Sequence, residues 1–152
     1  MYRGMLGIVH SVRRPSNVLA VQPGAVRKRL YDDRLIAYAD VTIGNRIIKD
    51  AVLLFDTGAT ESVIFLPDAT REIGEAPYDT GLVRMADGSL QNVLYYQCCI
   101  DFSGGVRITT DLIDVMEKSV SFADMIVGMD IISNGTLTVN GPEKTFSFEI
   151  SK

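Results

Sequence analysis

Two copies of the triplet Asp-Thr-Gly contain the residues of this chain best suited to chemistry: Asp56-Thr57-Gly58 and Asp79-Thr80-Gly81. A carboxylate can take a proton from water or return one, a threonine hydroxyl can donate and accept hydrogen bonds, and glycine lets another backbone approach closely. In random order, the 13 Asp, 10 Thr and 13 Gly residues would give about 0.07 copies of the triplet. One copy is therefore notable, and the surrounding sequence decides which copy is used.

The first copy follows the continuous apolar run AVLLF, which is typical of a strand buried on both sides. It is followed by Ala59, Thr60 and a further apolar run, ESVIFL. This order predicts a carboxylate held rigidly at the end of a strand in a dry site, with small residues that suit a tight turn. The alternative is that Asp56 only caps a turn where the strand ends.

The second copy follows GEAPY, a polar segment rich in residues that break regular structure. We interpret Asp79-Thr80-Gly81 as a surface turn that leads into the next strand. The two copies lie only 23 positions apart, whereas a two-lobed enzyme with one aspartate in each half needs a whole lobe between them. Asp56 is therefore the candidate acid–base residue, and Asp79 is not.

The elements that must position Asp56 are strands. The apolar patterns predict one hairpin over residues 35–43 and 47–55 around Gly44-Asn45, and a second over 81–85 and 89–102 around Ala86-Asp87-Gly88. Pro67 predicts the start of a brief helix that ends at Gly74. We expect three later elements: a strand over 106–116, a strand that turns into a short helix at Gly128, and a last hairpin around Asn140-Gly141-Pro142.

At 152 residues and 47% hydrophobic content, a single globular domain is expected. We divide the chain into a basic N-terminal arm or extra strands over 1–30 and the main domain over 31–152. The arm carries six basic and no acidic residues before Asp32, and its stretch VQPGAVRKR is interpreted as a linker. Such arms are more often tails or added strands than nucleic-acid sites, so nucleic acid is not an expected partner. No apolar run suits a membrane helix and the start is not typical of a signal peptide, so we expect a cytoplasmic protein with no membrane partner.

The histidine and cysteine content excludes other enzyme classes. His10 is the single histidine, which argues against Ser-His-Asp and Cys-His enzymes, and no Cys/His spacing suits zinc. Cys98 and Cys99 are adjacent, so a strand would point them to opposite faces as reduced thiols.

The stretch AVLLFDTGATESVI resembles the retropepsin-like aspartic proteases, the single-lobe family that includes the retroviral proteases and bacterial relatives. Three further pieces are similar to this family in the expected order: LVRMADGSLQNV to its flap hairpin, MIVGMDIIS to its late apolar pair with Gly and a short helix, and TFSFEI to its C-terminal strand. The resemblance covers about residues 34–150. It implies an all-β, acid-protease-like closed β-barrel or sandwich with one short helix near the C-terminus, a single lobe that forms a two-fold homodimer.

The resemblance implies an aspartic endopeptidase without a metal or organic cofactor. Because the chain has one usable triplet, the second carboxylate must come from a second copy, with the two Asp56 side chains at the two-fold axis. Thr57, Gly58, Ala59 and Thr60 would support the loop, and an extended peptide or protein substrate would bind under the flap. The remaining implied residues are the flap tip Met85, Ala86, Asp87 and Gly88, the supporting Gly128 and Asp130, and the pocket residues Ile64, Val83 and Ile126.

One departure and two alternatives accompany this interpretation. In retroviral members an Arg after the late Gly pairs with an acid after the triplet, whereas this chain has Met129 and Thr60 at those positions. A catalytically inactive domain of the same fold that dimerises and binds a peptide would keep the same residues. Phosphoryl transfer through an aspartyl nucleophile is disfavoured because the lysine of Asp-Lys-Thr-Gly and a following Asp-x-Asp are missing.

Overall fold

A computed structural model describes residues 18–68, 72–85, 87–116 and 122–151. The chain is built mainly from strands, which are β1 (Val18–Gln22), β2 (Gly24–Arg29), β3 (Ile36–Ile43), β4 (Arg46–Phe55), β5 (Val63–Phe65), β6 (Asp79–Arg84), β7 (Leu90–Phe102), β8 (Arg107–Met116), β9 (Met125–Val127), β10 (Gly135–Asn140) and β11 (Thr145–Ile150). A one-turn helix near the C-terminus, α1 (Met129–Ile132), separates β9 from β10. The all-β prediction with a short late helix is confirmed.

Six strands close into a barrel. Hydrogen bonding follows the order β8-β5-β9-β4-β3-β7, and β7 then pairs with β8 to complete the circuit. β1 adds to the barrel along β8, and β6 adds along β7. Closure leaves the six barrel strands paired along both edges. In β4, Leu53 and Phe55 lie in the main core and Leu54 is buried on the opposite face, which explains why the run AVLLF is apolar nearly throughout.

The β3–β4 hairpin was predicted within one residue of its observed ends. Its turn falls at Gly44-Asn45, and Gly44 has φ +55, a conformation that favours glycine. A Cβ at Gly44 would also lie 2.7 Å from the Ile73 side chain. This hairpin places β4 between β3 and β9, and Asp56 begins the loop that follows β4.

A three-stranded sheet in the order β10-β11-β2 packs against the barrel. The ring of Phe55 at the end of β4 meets three rings, with centroid separations of 6.3 Å to Phe102, 5.6 Å to Phe146 and 5.3 Å to Phe148. The last two belong to β11, so the main hydrophobic core continues from the barrel into the sheet.

The linker interpretation of VQPGAVRKR is wrong, because residues 24–29 form β2 and pair with β11 along six positions. The prediction that the second triplet forms a turn is also wrong, because its backbone is extended. Asp79, Thr80 and Gly81 are the first three residues of β6 and pair with β7. In both cases pairing with a distant strand overrides a local preference for loop structure.

Other expectations have mixed outcomes. Cys98 is buried and Cys99 half-buried on neighbouring positions of β7, and both thiols are free, as predicted. The helix after Pro67 is described in part: the Glu72 N–H donates to the Asp68 carbonyl, and residues 69–71 lie outside the described residues. His10 and the first half of the arm also lie outside them. None of the described helical segments has the length and apolar content that crossing a membrane requires.

Candidate active site

Asp56 is the first residue after β4, and its backbone is fixed by the barrel. Its N–H donates to the carbonyl of Val127 at 2.9 Å, one step beyond the parallel pairing of Phe55 with Val127. The turn then closes on itself, because the Ala59 N–H donates to the Asp56 carbonyl at 3.2 Å. The carboxylate therefore projects from a position that the β4–β9 ladder holds still.

The two oxygens of the Asp56 carboxylate differ in their surroundings. Oδ1 accepts a hydrogen bond from the Gly58 N–H at 2.9 Å. Oδ2 is buried and has no hydrogen-bond partner among the described residues. Partial burial raises the pKa of Asp56, and the Gly58 N–H opposes that rise. An oxygen shielded from water without a partner is costly unless something supplies a proton or a donor.

The rest of the loop divides into an outward and an inward part. Thr57, Gly58 and Thr60 are exposed, whereas Ala59 is only 1% exposed and packs in a second hydrophobic cluster. The exposed residues surround the carboxylate and the buried one anchors the loop. The part of the loop next to the Asp56 carboxylate is therefore accessible to a binding partner.

The underside of the loop rests on the start of α1. The Met129 and Asp130 N–H groups donate to the carbonyls of Ala59 and Thr60 at 2.8 and 3.2 Å. A Cβ at Gly128 would lie 2.8 Å from the carbonyl oxygens of Ala59 and Glu61. Glycine is required here because the loop backbone passes directly over this position. The predicted supporting role of Gly128 therefore has a steric basis.

Ser62 joins the same contact from the loop side, and sequence reasoning missed it. Its hydroxyl donates to Asp130 Oδ1 at 2.6 Å and accepts from the Gly128 N–H at 2.9 Å, while its own N–H donates to Asp130 Oδ2 at 3.0 Å. Burial raises the pKa of Asp130, the bonds from Ser62 and from the Ile131 N–H oppose the rise, and nearby Glu61 adds to it. The three residues Gly128, Ser62 and Asp130 form what we call the loop brace.

The β6–β7 hairpin contains the segment that the resemblance compares with a flap. At its tip the Met85 N–H donates to the Ser89 carbonyl at 2.8 Å, and Asp87 Oδ1 accepts from the Ser89 N–H at 2.8 Å. Asp87 and Gly88 are exposed, Met85 is buried, and Ala86 lies outside the described residues.

The inner face of this hairpin packs beside the Asp56 loop. Val83, Met85 and Ile126 share the second hydrophobic cluster with Ala59, the residue that anchors the loop. Of the three pocket residues expected from the sequence, Val83 and Ile126 therefore lie together, whereas Ile64 belongs to the main core. The loop, β9 and the hairpin therefore share one buried apolar cluster.

Comparison with solved structures concerns the fold. The chain is similar to the crystal structure of a retropepsin-like aspartic protease from Rickettsia conorii, with a TM-score of 0.52 and 11% sequence identity. The similarity covers 86% of this chain and 94% of that chain. The fold is retropepsin-like. No family model and no curated protein sequence matches the chain.

This chain has Met129 and Thr60 at the positions of the Arg–acid pair named above. The loop brace lies close to these two positions in the chain. Met129 is 37% exposed, and Thr60 is exposed, so neither side chain replaces that pair. The brace instead joins the loop to α1 through a carboxylate, a hydroxyl and backbone N–H groups. Its hydrogen bonds are internal, so they are screened little by salt.

Asp79 lies in a more open environment than Asp56. It is exposed at the start of β6, opposite Tyr95, and its Oδ1 accepts from the Thr80 N–H. In the part of the chain that the structure describes, no group of three or more His, Cys, Asp or Glu side chains is arranged to hold a metal ion.

Proposed function

We propose that this chain is an aspartic endopeptidase that acts as a homodimer, with one Asp56 from each copy. The observation that supports this most is the Asp56 carboxylate itself. It is fixed at a barrel strand end, one oxygen is held by Gly58, and the other is buried with no partner among the described residues. Asp56 as a whole is half-buried, so a second carboxylate could approach the accessible part of its side chain and share a proton with it.

The reaction needs both members of the pair. With one proton between them, the ionised carboxylate takes a proton from water while the protonated one donates to the carbonyl oxygen of the peptide bond. Water attacks the carbonyl carbon, and a tetrahedral intermediate forms. A proton then passes to the nitrogen, the C–N bond breaks, and a hydroxyl proton returns to the pair. The two apparent pKa values belong to the pair, and burial favours the form that keeps its proton.

The substrate in this proposal is an extended peptide segment. It would lie between the Asp56 loop and the hairpin tip over residues 85–88, and it would bind through backbone hydrogen bonds as an added strand. The buried cluster containing Val83, Met85 and Ile126 joins the hairpin to the Asp56 loop, which supports a binding position between the two.

The test is peptide cleavage measured with a varied peptide library from pH 4 to 7, on the full chain and two variants. Asp56→Asn keeps the size of the side chain and removes its charge, and Asp79→Asn makes the same change in the second triplet. Cleavage lost only in Asp56→Asn supports the endopeptidase. Absence of cleavage in every variant, with a dimer present, contradicts the endopeptidase and supports the alternative of an inactive domain that dimerises and binds a peptide.

A further inference from the structure

β2 is an outer strand of the three-stranded sheet, and one of its edges carries no partner strand in the described part of the chain. β11 is the central strand, and β2 pairs with it along six positions. In an antiparallel pair, alternate residues of an edge strand direct their N–H and C=O groups away from the sheet. An extended peptide can pair with such groups and add one more strand to the sheet.

Three consecutive basic residues give this edge of β2 a positive charge. They are Arg27, Lys28 and Arg29, and all three are exposed. Arg27 forms an ion pair with Glu149 at 3.3 Å, and Lys28 lies 5.8 Å from the centre of the Tyr38 ring. Arg29 has no ion pair with any described residue. Because opposite charges on neighbouring strands attract and like charges repel, this edge favours an acidic strand.

The outer face of the same sheet is a polar trough with a volume of about 360 Å³. The side chains that line it on β2 and β11 alternate with the buried Val26, Phe146 and Phe148, so they point away from the core. The outward side chains are two arginines and four neutral polar residues, namely Arg27, Arg29, Thr138, Asn140, Thr145 and Ser147. The face that carries the two arginines is therefore polar and open to a charged partner.

The two arginines have the spacing of alternate residues in an extended chain. Positions i and i+2 of a strand lie about 6.6 Å apart on one face, and neighbouring strands lie about 4.8 Å apart. A strand added along β2 with acidic residues at alternate positions therefore places two carboxylates beside Arg27 and Arg29. A guanidinium group can bind a carboxylate through two parallel hydrogen bonds.

We propose that β2 binds an extended acidic segment of a partner protein as a fourth strand of this sheet. Backbone hydrogen bonds along the edge hold the segment, and Arg27 and Arg29 select carboxylates at alternate positions on its outer face. Arg29 contributes most to this selection because Arg27 already pairs with Glu149. The surface involves neither Asp56 nor the β6–β7 hairpin, so the inference goes beyond the proposed function and does not depend on it.

A polypeptide fits this edge better than a nucleic acid does. Only a polypeptide strand continues the ladder of N–H and C=O groups along β2. None of the outward side chains of the trough is aromatic, so a nucleic-acid base has no ring to stack on. The chain also has a formal net charge of -4, which opposes the approach of a long polyanion more than that of a short acidic segment.

Peptide binding measured by fluorescence anisotropy at pH 7 tests the charge requirement. The probe is a labelled peptide of eight residues in which Thr and Glu alternate. Arg29→Glu should raise its Kd about tenfold or more, because an attraction becomes a repulsion. Lys49→Glu is the matched control: it makes the same change of charge at an exposed position of β4, and its Kd should stay within about twofold of the unaltered protein. Equal losses in the two variants, or no binding by the unaltered protein at millimolar concentration, would overturn the inference.

Modified probes test the backbone requirement on the unaltered protein. Methylating every amide nitrogen of the peptide removes its N–H donors and keeps every carboxylate, so the Kd should rise about tenfold or more. Equal Kd values would show that charge alone holds the peptide, which contradicts strand addition. If Arg29→Glu fails to fold by circular dichroism, the methylated peptide decides.

A single-stranded DNA of eight thymidines tests the other class of partner. It should bind more weakly than the alternating peptide, because it cannot pair with the backbone of β2. Binding that is tighter than that of the peptide, and that is lost in Arg29→Glu, would assign the surface to nucleic acid and overturn the inference.

These outcomes are separable from those of the proposed activity. Asp56→Asn should bind the alternating peptide with an unchanged Kd, because the candidate active site takes no part in this binding. Loss of binding in Asp56→Asn would place the peptide at the candidate active site and overturn the inference. A protein that binds the peptide through Arg29 and cuts no peptide of the library keeps the β2 surface and removes the endopeptidase.

Discussion

The two Asp-Thr-Gly triplets are identical in sequence and occupy opposite kinds of environment. The first follows the central barrel strand β4, with its backbone bonded to Val127 and one carboxylate oxygen buried. The second starts the hairpin strand β6 with an exposed aspartate. The difference lies in what precedes and supports each triplet, and a three-residue motif does not contain that information.

The residues that contact each triplet also differ. The first triplet rests on a glycine, a serine and an aspartate that bond to one another and to the loop. Gly81 of the second triplet faces the ring of Tyr95 instead. Rigid support of a carboxylate is a requirement for acid–base catalysis, because the reacting atoms must stay within hydrogen-bond reach.

The largest expected difference between the triplets is in activity. Asp56→Asn should reduce peptide cleavage by about 10²–10⁴-fold or more, because it removes the group that exchanges protons with water. Asp79→Asn should leave kcat/KM within about twofold of the unaltered protein, as expected for an exposed surface change. Equal losses of cleavage activity in the two variants, measured on one peptide at one pH, would contradict the prediction that only the first triplet is catalytic.

Alanine in place of the supporting glycine should cost stability. Gly128→Ala places a Cβ 2.8 Å from two loop carbonyl oxygens, so the loop must move, at a cost of about 1–3 kcal/mol in the free energy of unfolding. Gly81→Ala meets only the Tyr95 ring at 3.1 Å, and a side chain can shift more easily than backbone. Urea unfolding of both variants at equal protein concentration measures the two losses of stability. A larger loss for Gly81→Ala than for Gly128→Ala would contradict the prediction.

Removing the hydroxyl of the loop brace should have a similar or slightly smaller effect. Ser62→Ala leaves the buried Gly128 N–H without its acceptor and takes one donor from Asp130, which costs about 1–3 kcal/mol. Thr80→Ala, the exposed hydroxyl of the second triplet, should change stability by less than about 0.5 kcal/mol. Thermal unfolding distinguishes them, and a neutral Ser62→Ala would show that the brace does not stabilise the loop.

The smallest expected effect is a pH dependence of stability. Burial raises the pKa of Asp56 in the folded chain, so its contribution is fully present below the unfolded pKa and is lost as pH rises through the folded pKa. Asp56→Asn should therefore be more stable than the unaltered protein at pH 7, and this gain should vanish at pH 3. Urea unfolding at both values checks the sign. If Asp79→Asn gains as much stability at pH 7 as Asp56→Asn, the cause is the change in net charge and not the burial of Asp56.

Much of this arrangement was predictable from sequence because the signals were local. The run AVLLF indicated a strand buried on both sides, and the Gly44-Asn45 turn fixed the hairpin that leads to Asp56. The resemblance to retropepsin-like proteases indicated the order of a long hairpin, a short helix after a late glycine and a final strand. Each of these depends on residues that are close together in the chain.

The features that sequence reasoning missed depend on distant partners. β2 looked like part of a linker because QPG lies at its start and RKR is charged, but β11 supplies its hydrogen bonds. Asp79 looked like a turn residue, but β7 holds it extended. Ser62 and Asp130 are separated by 68 positions, so nothing near either residue indicates their contact.

The requirement for two Asp56 side chains is tested most directly by mixing chains. Unaltered and Asp56→Asn chains are unfolded together, refolded at constant total concentration, and assayed for peptide cleavage. If each active unit needs two aspartates, activity follows the square of the unaltered fraction, and an equal mixture keeps about one quarter. If activity falls in proportion to that fraction, so that an equal mixture keeps about one half, each chain works alone and the paired-carboxylate account is contradicted.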